Sequence, residues 1–181
     1  MNEYKSIPIG MEDFKEVIDK NCYLVDKTLL IKDILDGGAK VTLFTRPRRF
    51  GKTLNMSMLR RFFEKTEEDH SYLFNGLAIT KTGDKYQSHM GQYPVISISL
   101  KSMKQSDYQE AFSEFKNMIS KEIWRHKELL VADKLMPLSR KKLEMICNDT
   151  ADNSVYNTAL KLLSDCLYEV YGKKVIVLID D

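Results

Sequence analysis

Residues 41–63 constrain the fold more than any other stretch of this sequence. Val41-Thr-Leu-Phe44 is a short apolar run with the make-up of a buried strand. Arg46 to Phe50 forms a basic loop, and Gly51-Lys52-Thr53 leads into Leu54, Met58 and Phe62, spaced by four along one helical face. A strand, a loop ending in Gly-Lys-Thr and a helix is the context that a phosphate-binding loop needs. There, backbone N–H groups at a helix N-terminus face the ligand and carry about half a positive charge from the helix dipole. Lys52 is placed to reach the outer phosphates, and Thr53 to hold Mg²⁺ through its hydroxyl. Gly51 lacks a Cβ, so the backbone can close on an oxyanion. The plainer alternative is a basic turn before a core helix, with the tripeptide there by accident.

The full pattern is G-x-x-x-x-G-K-[ST]. Five residues before Gly51 stands Arg46, so the first glycine is missing, and Pro47 removes one N–H donor from the loop. The nucleotide-binding residues are therefore expected to be Arg46, Pro47, Arg48, Arg49, Phe50, Gly51, Lys52, Thr53 and Leu54.

At 181 residues, the chain is read as one domain, 1–181, with an N-terminal helical segment (1–38) and a core (39–181). The core carries a helical insertion at about 106–171. With 43% hydrophobic and 30% charged residues, the composition is that of an ordinary soluble protein, and a net charge of +2 does not by itself imply a polyanionic partner. Local clustering says more, since Arg46, Arg48, Arg49, Lys52, Arg60 and Arg61 fall within sixteen residues. Cys22, Cys147 and Cys166 are odd in number and lack metal-ligand spacing, which points to free thiols in a reducing cytoplasm. His70, His89 and His126 are too scattered for a zinc site. No apolar signal region follows Met1, and the run Val175 to Ile179 is far too short to cross a bilayer.

Met11 to Asp19 reads as a short helix with Phe14, Val17 and Ile18 facing inward. Asp26 is placed to cap a second helix that buries Leu30, Ile31, Ile34 and Leu35 and stops at Gly37-Gly38. Ser71 to Leu77 suggests a short helix, and Pro94 to Leu100 a strand alternating apolar residues with serines. Ser106, with Gln109 three residues on, reads as a capping box for a long helix carrying Tyr108, Phe112, Phe115, Ile119 and Ile123. Arg140 to Cys147 and a helix from Val155 to Val170 follow, with Gly172 as the stop. The fold class is α/β: a parallel sheet flanked by helices, of the P-loop NTPase kind.

Arg46-Pro-Arg-Arg-Phe-Gly-Lys-Thr-Leu-Asn-Met-Ser-Met-Leu59 closely resembles the phosphate loop of a bacterial AAA-ATPase-like family, whose loop also lacks the first glycine. Ile7-Pro-Ile-Gly10 through Tyr23-Leu-Val-Asp-Lys-Thr28 and Tyr93-Pro-Val-Ile-Ser-Ile-Ser99 agree with it, so the resemblance covers nearly the whole chain. It implies binding of ATP and Mg²⁺. It also implies an N-terminal stretch packed beside the nucleotide, with Asp26-Lys27-Thr28 at its centre; on spacing alone these three also suit a capped packing helix. Members commonly continue with the rest of the ATPase module and a PD-(D/E)XK nuclease-like domain, so this chain reads as an incomplete, N-terminal part.

Lys174-Val-Ile-Val-Leu-Ile-Asp-Asp181 resembles the second nucleotide motif, a buried strand ending in carboxylates. By that resemblance Asp180 holds Mg²⁺ through water beside Thr53. Asp181 stands where the water-orienting base is usually Glu, one methylene longer; with Lys52 it completes the expected catalytic residues. In the additional-strand class of ATPases, the strand between the two motif strands comes later in sequence. A sheet in that order leaves a slot between Val41–Phe44 and Val175–Ile179, with unpaired backbone groups. Direct closure of the strands, a partner or second copy, or a missing continuation each answers it.

Two functions follow. One is an ATP-binding protein with weak or no hydrolysis on its own. The other is a non-enzymatic binding module, a regulator or inhibitor from a mobile element, whose Arg46, Arg48, Arg49, Arg60 and Arg61 contact a protein or nucleic acid.

Overall fold

Asp13 starts the first helix. Its backbone is extended, and its carboxylate accepts the Lys15 N–H at 3.0 Å, which caps α1 (Phe14–Asp19). The computed structural model describes residues 4–45, 47 and 49–180. These gather into two compact units, Met1–Gln92 and Tyr93–Asp181.

In the first unit, α1 buries Phe14 and Val17 as their spacing predicts, whereas Ile18 is only half-buried. Helix α2 (Leu29–Gly37) buries Ile31 and ends on left-handed Gly38, φ 58°, a conformation that costs glycine little. Asp26 is not its N-cap; that position belongs to Thr28. Asp26 instead ties down the turn before the helix. It accepts the Thr28 N–H at 2.9 Å, the Thr28 hydroxyl at 2.7 Å and the Ala78 N–H at 2.7 Å. Thr28 is fully buried, and its hydroxyl oxygen accepts the Ile79 N–H at 3.1 Å.

Helix α3 (Lys52–Phe63) buries Met58, Leu59, Phe62 and Phe63. Phe74, in the 3-10 turn Ser71–Phe74, stacks on Phe14 at 5.3 Å and meets Phe62 edge-on at 5.2 Å. Polar contacts lock α1 to α3 beside these rings. The Ser57 hydroxyl accepts the Phe14 N–H at 2.9 Å and donates to Asp13 at 2.8 Å, and Arg61 Nη2 donates to the other Asp13 oxygen at 2.7 Å. A second 3-10 turn (Ala78–Lys81) and α4 (Asp84–Gln87) complete this unit's regular elements.

The expected strand at Val41–Phe44 is not formed. These residues have no ladder partner among the described residues, and Val41 and Leu43 are 85% and 83% exposed. A run of apolar residues makes a strand only when a neighbouring strand takes its N–H and C=O groups, and the sheet in this structure lies wholly in the second unit.

That sheet pairs β1 (Val95–Ser99) with β2 (Ile176–Asp180) in parallel, Val95 opposite Ile176 and Ser99 opposite Asp180. Between them run α5 (Tyr108–Arg125), α6 (Pro137–Cys147), α7 (Asn153–Tyr156) and α8 (Ala159–Tyr171). The N-cap of α5 is Asp107 rather than Ser106: its carboxylate accepts the Gln109 and Glu110 N–H groups at 2.8 and 3.2 Å. A carboxylate at that place also meets the helix dipole favourably, which a hydroxyl cannot match. Pro137 opens α6 at the first turn, where its missing N–H costs nothing. The helix expected from Val155 to Val170 is split into α7 and α8, and left-handed Gly172 ends α8. Ile96 and Ile98 of β1 join Ile119, Ile123, Leu143, Ile146, Leu163 and Leu167 in one buried cluster. The α/β class holds, as a two-stranded parallel sheet with helices.

The two edges of this sheet differ. Pro94 accepts from Ile176 and Leu100 donates to Asp180, so alternate β1 residues turn towards β2 while Val95 and Ser97 turn away. Side chains of the α5 end take those outward groups. The Ser97 N–H donates to Glu122 at 2.7 Å, the Val95 carbonyl accepts from Arg125, and His126 Nε2 lies 3.0 Å from the same carbonyl. On β2 the outward residues are Val177 and Ile179, whose side chains are 45% and 51% exposed.

Candidate functional site

Phe50 sits between two left-handed residues, Arg49 at φ 70° and Gly51 at φ 76°. Gly51 adopts this at no steric cost, while Arg49 holds it at roughly 1–2 kcal/mol. Gly51 is the N-cap of α3 and has no side chain with which to cap it. Lys52 is the first residue of the helix, and Thr53 and Leu54 complete the start of its first turn. The opening N–H groups of a helix have no partner within it, so this end attracts an anion.

Lys27 reaches the loop from the turn before α2. Its Nζ donates to the Phe50 carbonyl at 2.9 Å, and it lies 3.8 Å from where a Cβ on Gly51 would stand. The turn that carries it is held by Asp26, whose carboxylate lies below its ordinary range. Burial opposes that shift, but the hydrogen bonds from Thr28 and Ala78 outweigh it.

A cavity of 360 Å³ opens beside the loop. Arg49, Phe50, Gly51 and Leu54 line it, together with Ile7, Tyr23 and Lys27. Lys52 and Thr53 are not part of its wall. The lining is largely apolar with two cations, Lys27 and Arg49, the character of a small-molecule cleft. Pro47 is exposed, and Arg46, Arg48 and Asp181 lie outside the described residues.

Thr53 belongs to the first unit and Asp180 to the second. Asp180 is the last residue of β2, largely buried, with Lys101 Nζ 3.6 Å from its carboxylate. Among the described residues, no three His, Cys, Asp or Glu side chains gather as a metal ion requires. Cys22, Cys147 and Cys166 are free thiols, as expected. No helix among the described residues is long and apolar enough to cross a membrane.

The basic cluster seen in sequence is divided by the fold. Arg61 is held by Asp13, and Arg60 lies 3.9 Å from Glu64 at the end of α3. Asp13 is accordingly lowered to about 2: burial pushes it up, but the hydrogen bonds from Arg61, Ser57 and the Lys15 N–H more than offset this. The resemblance led one to expect Asp26-Lys27-Thr28 beside the loop, but not the bond from Lys27 to the Phe50 carbonyl. Its signal was local: an Asp two residues before a Thr forms an Asx turn, which fixes the residue between them.

A family model described as Predicted AAA-ATPase matches residues 8–181. A protein of Azotobacter chroococcum mcd 1, described as an uncharacterized protein in the vnfD 5' region, is 34% identical over 96 residues, which are 52% of this chain and 17% of that protein. The chain thus corresponds to a small part of that relative's length. No solved structure matches it. With nearly its full length covered by the family model, the chain belongs to the Predicted AAA-ATPase family.

Proposed function

We propose that this chain binds ATP with Mg²⁺ on the loop Phe50-Gly51-Lys52-Thr53, with weak or no hydrolysis of its own. One observation carries the reading: left-handed Gly51 hands the chain directly to Lys52, the first residue of a twelve-residue helix, beside an apolar cleft. The polyphosphate lies against the N-terminus of α3, where the first N–H groups and the Lys52 ammonium neutralise it. The base and sugar enter the cleft, where Tyr23 and Phe50, 59% and 57% exposed, offer aromatic faces.

The residues present fit the metal in part. Thr53 supplies a hydroxyl at the start of the helix. Bound Mg²⁺ would neutralise phosphate charge as the outer phosphoryl group departs. Weak turnover is expected from the end of the second motif. Asp181 is a methylene shorter than the glutamate that orients water in such sites.

Thermal unfolding with and without MgATP tests this. Ligand at about 100 times Kd stabilises the chain by about 2.7 kcal/mol, and Lys52→Ala removes the shift. No stabilisation of the wild type at millimolar MgATP overturns the reading. Phosphate release from the same sample measures turnover.

A further inference from the structure

We infer that Lys27 is the positioning residue of the phosphate loop: it holds the Phe50 carbonyl so that Gly51 keeps the left-handed turn from which α3 opens towards a polyphosphate. The inference rests on the nucleotide site proposed above and assigns it a second lysine that the loop motif does not contain.

Lys27 stands on a fixed stretch of backbone. Its neighbours on both sides are anchored: Asp26 by three hydrogen bonds to Thr28 and Ala78, and Thr28 by full burial and its bond from Ile79. A long, flexible side chain on a fixed backbone loses less freedom on reaching one target than it would from a mobile loop. Its target is Phe50, the residue between the two left-handed positions Arg49 and Gly51. A peptide plane there is free to flip, because glycine populates positive and negative φ alike. If the plane turns over, the Phe50 carbonyl and the Gly51 N–H exchange sides, and the anion meets an oxygen instead of a donor. A charge-assisted bond from Lys27 to that carbonyl opposes the flip.

The second contribution is charge. An ammonium carries three donors, and the Phe50 carbonyl accepts one of them. The positive charge stands 3.8 Å from the Cβ position of Gly51, on the wall of the cleft. Lys27 and Lys52 thus approach the loop from different elements, one from the turn before α2 and one from α3 itself.

ADP binding by the full chain, measured by calorimetry for the wild type, Lys27→Met, Lys27→Arg and Lys52→Ala, tests the role. Lys27 is exposed, so its variants should unfold within about 1 °C of the wild type in the absence of ligand. Loss of a charged hydrogen bond predicts about ten-fold weaker ADP binding by Lys27→Met. Lys27→Arg, which can still donate to the carbonyl, should recover most of it, an outcome that a general packing role does not give. Unchanged ADP affinity in Lys27→Met overturns the inference while leaving the site intact. So does a fall that Lys27→Arg fails to recover. No ADP binding by the wild type removes the proposed site and this inference together.

Discussion

The N–H of Ser97 donates to the Glu122 carboxylate at 2.7 Å, so a helix side chain takes the place that a third strand would occupy on the outer edge of β1. Arg125 and His126 complete this cover by engaging the Val95 carbonyl. Glu122 lies below its usual range: burial raises it, but the hydrogen bonds from Arg125 and His126 prevail. An unsatisfied strand edge invites pairing with another chain, and this one is closed by a charged group tied to its own helix.

Glu122→Ala leaves Arg125 without its carboxylate and Ser97 without an acceptor. Arg125 is half-buried, so the cost of leaving the Ser97 N–H and the guanidinium without this acceptor is about 1–3 kcal/mol. Urea unfolding should show a loss of that order. A loss below about 1 kcal/mol would mean that the edge is not held by this residue.

His126 gives the cover a pH dependence. Burial lowers its pKa, but Glu122 and Glu128 raise it further, so the net shift is above the ordinary 6.5. A folded pKa above the unfolded one stabilises fully below pH 6.5, and the contribution is lost as pH rises through the folded value. Between pH 6 and pH 9 the denaturant midpoint should therefore fall in the wild type and fall less in His126→Gln. Equal slopes in the two proteins would contradict the assignment.

Asp13 acts at the other end of the pH scale. Its folded value of about 2 lies below the ordinary 3.8, so its contribution is present above pH 3.8 and lost as pH falls towards 2. Asp13→Asn removes the strong bond to Arg61 and should lower stability at pH 7 by roughly 1–2 kcal/mol. The gap between variant and wild type should narrow on acidification, followed by circular dichroism from pH 6 to pH 2.

The opposite edge of the sheet belongs to β2. Val177 and Ile179 turn outward from β2 with half-exposed apolar side chains. Ile179→Lys should reduce concentration-dependent association in light scattering, because lysine on an edge strand discourages pairing. Unaltered scattering would direct attention away from this edge.

Much of this was legible in the sequence where apolar period and terminus chemistry agree. The α3 positions Met58 and Phe62, the α5 positions Ile119 and Ile123, and the glycine stops at Gly38 and Gly172 follow from local rules. The misplaced caps, Asp107 for Ser106 and Thr28 for Asp26, are shifts of one and two residues, where several capping side chains compete within one turn. Val41–Phe44 failed differently, because a strand is defined by its neighbours as well as by its own residues. The edge cover was illegible for a related reason. Glu122, Arg125 and His126 look like an ordinary charged helix end until β1 is placed against them. At the loop, Gly51, Lys52 and Thr53 took their expected places at the start of α3, while the reach of Lys27 across 23 positions had no periodic trace.

The proposed nucleotide site has a triphosphate settle where Gly51 gives way to Lys52. Amide chemical shifts of the isotopically labelled chain, recorded as MgATP is added, test it most directly. The account predicts saturable shifts centred on Gly51, Lys52, Thr53 and Leu54, absent in Lys52→Ala. Shifts confined to other residues, or a spectrum unmoved at millimolar nucleotide, would contradict it.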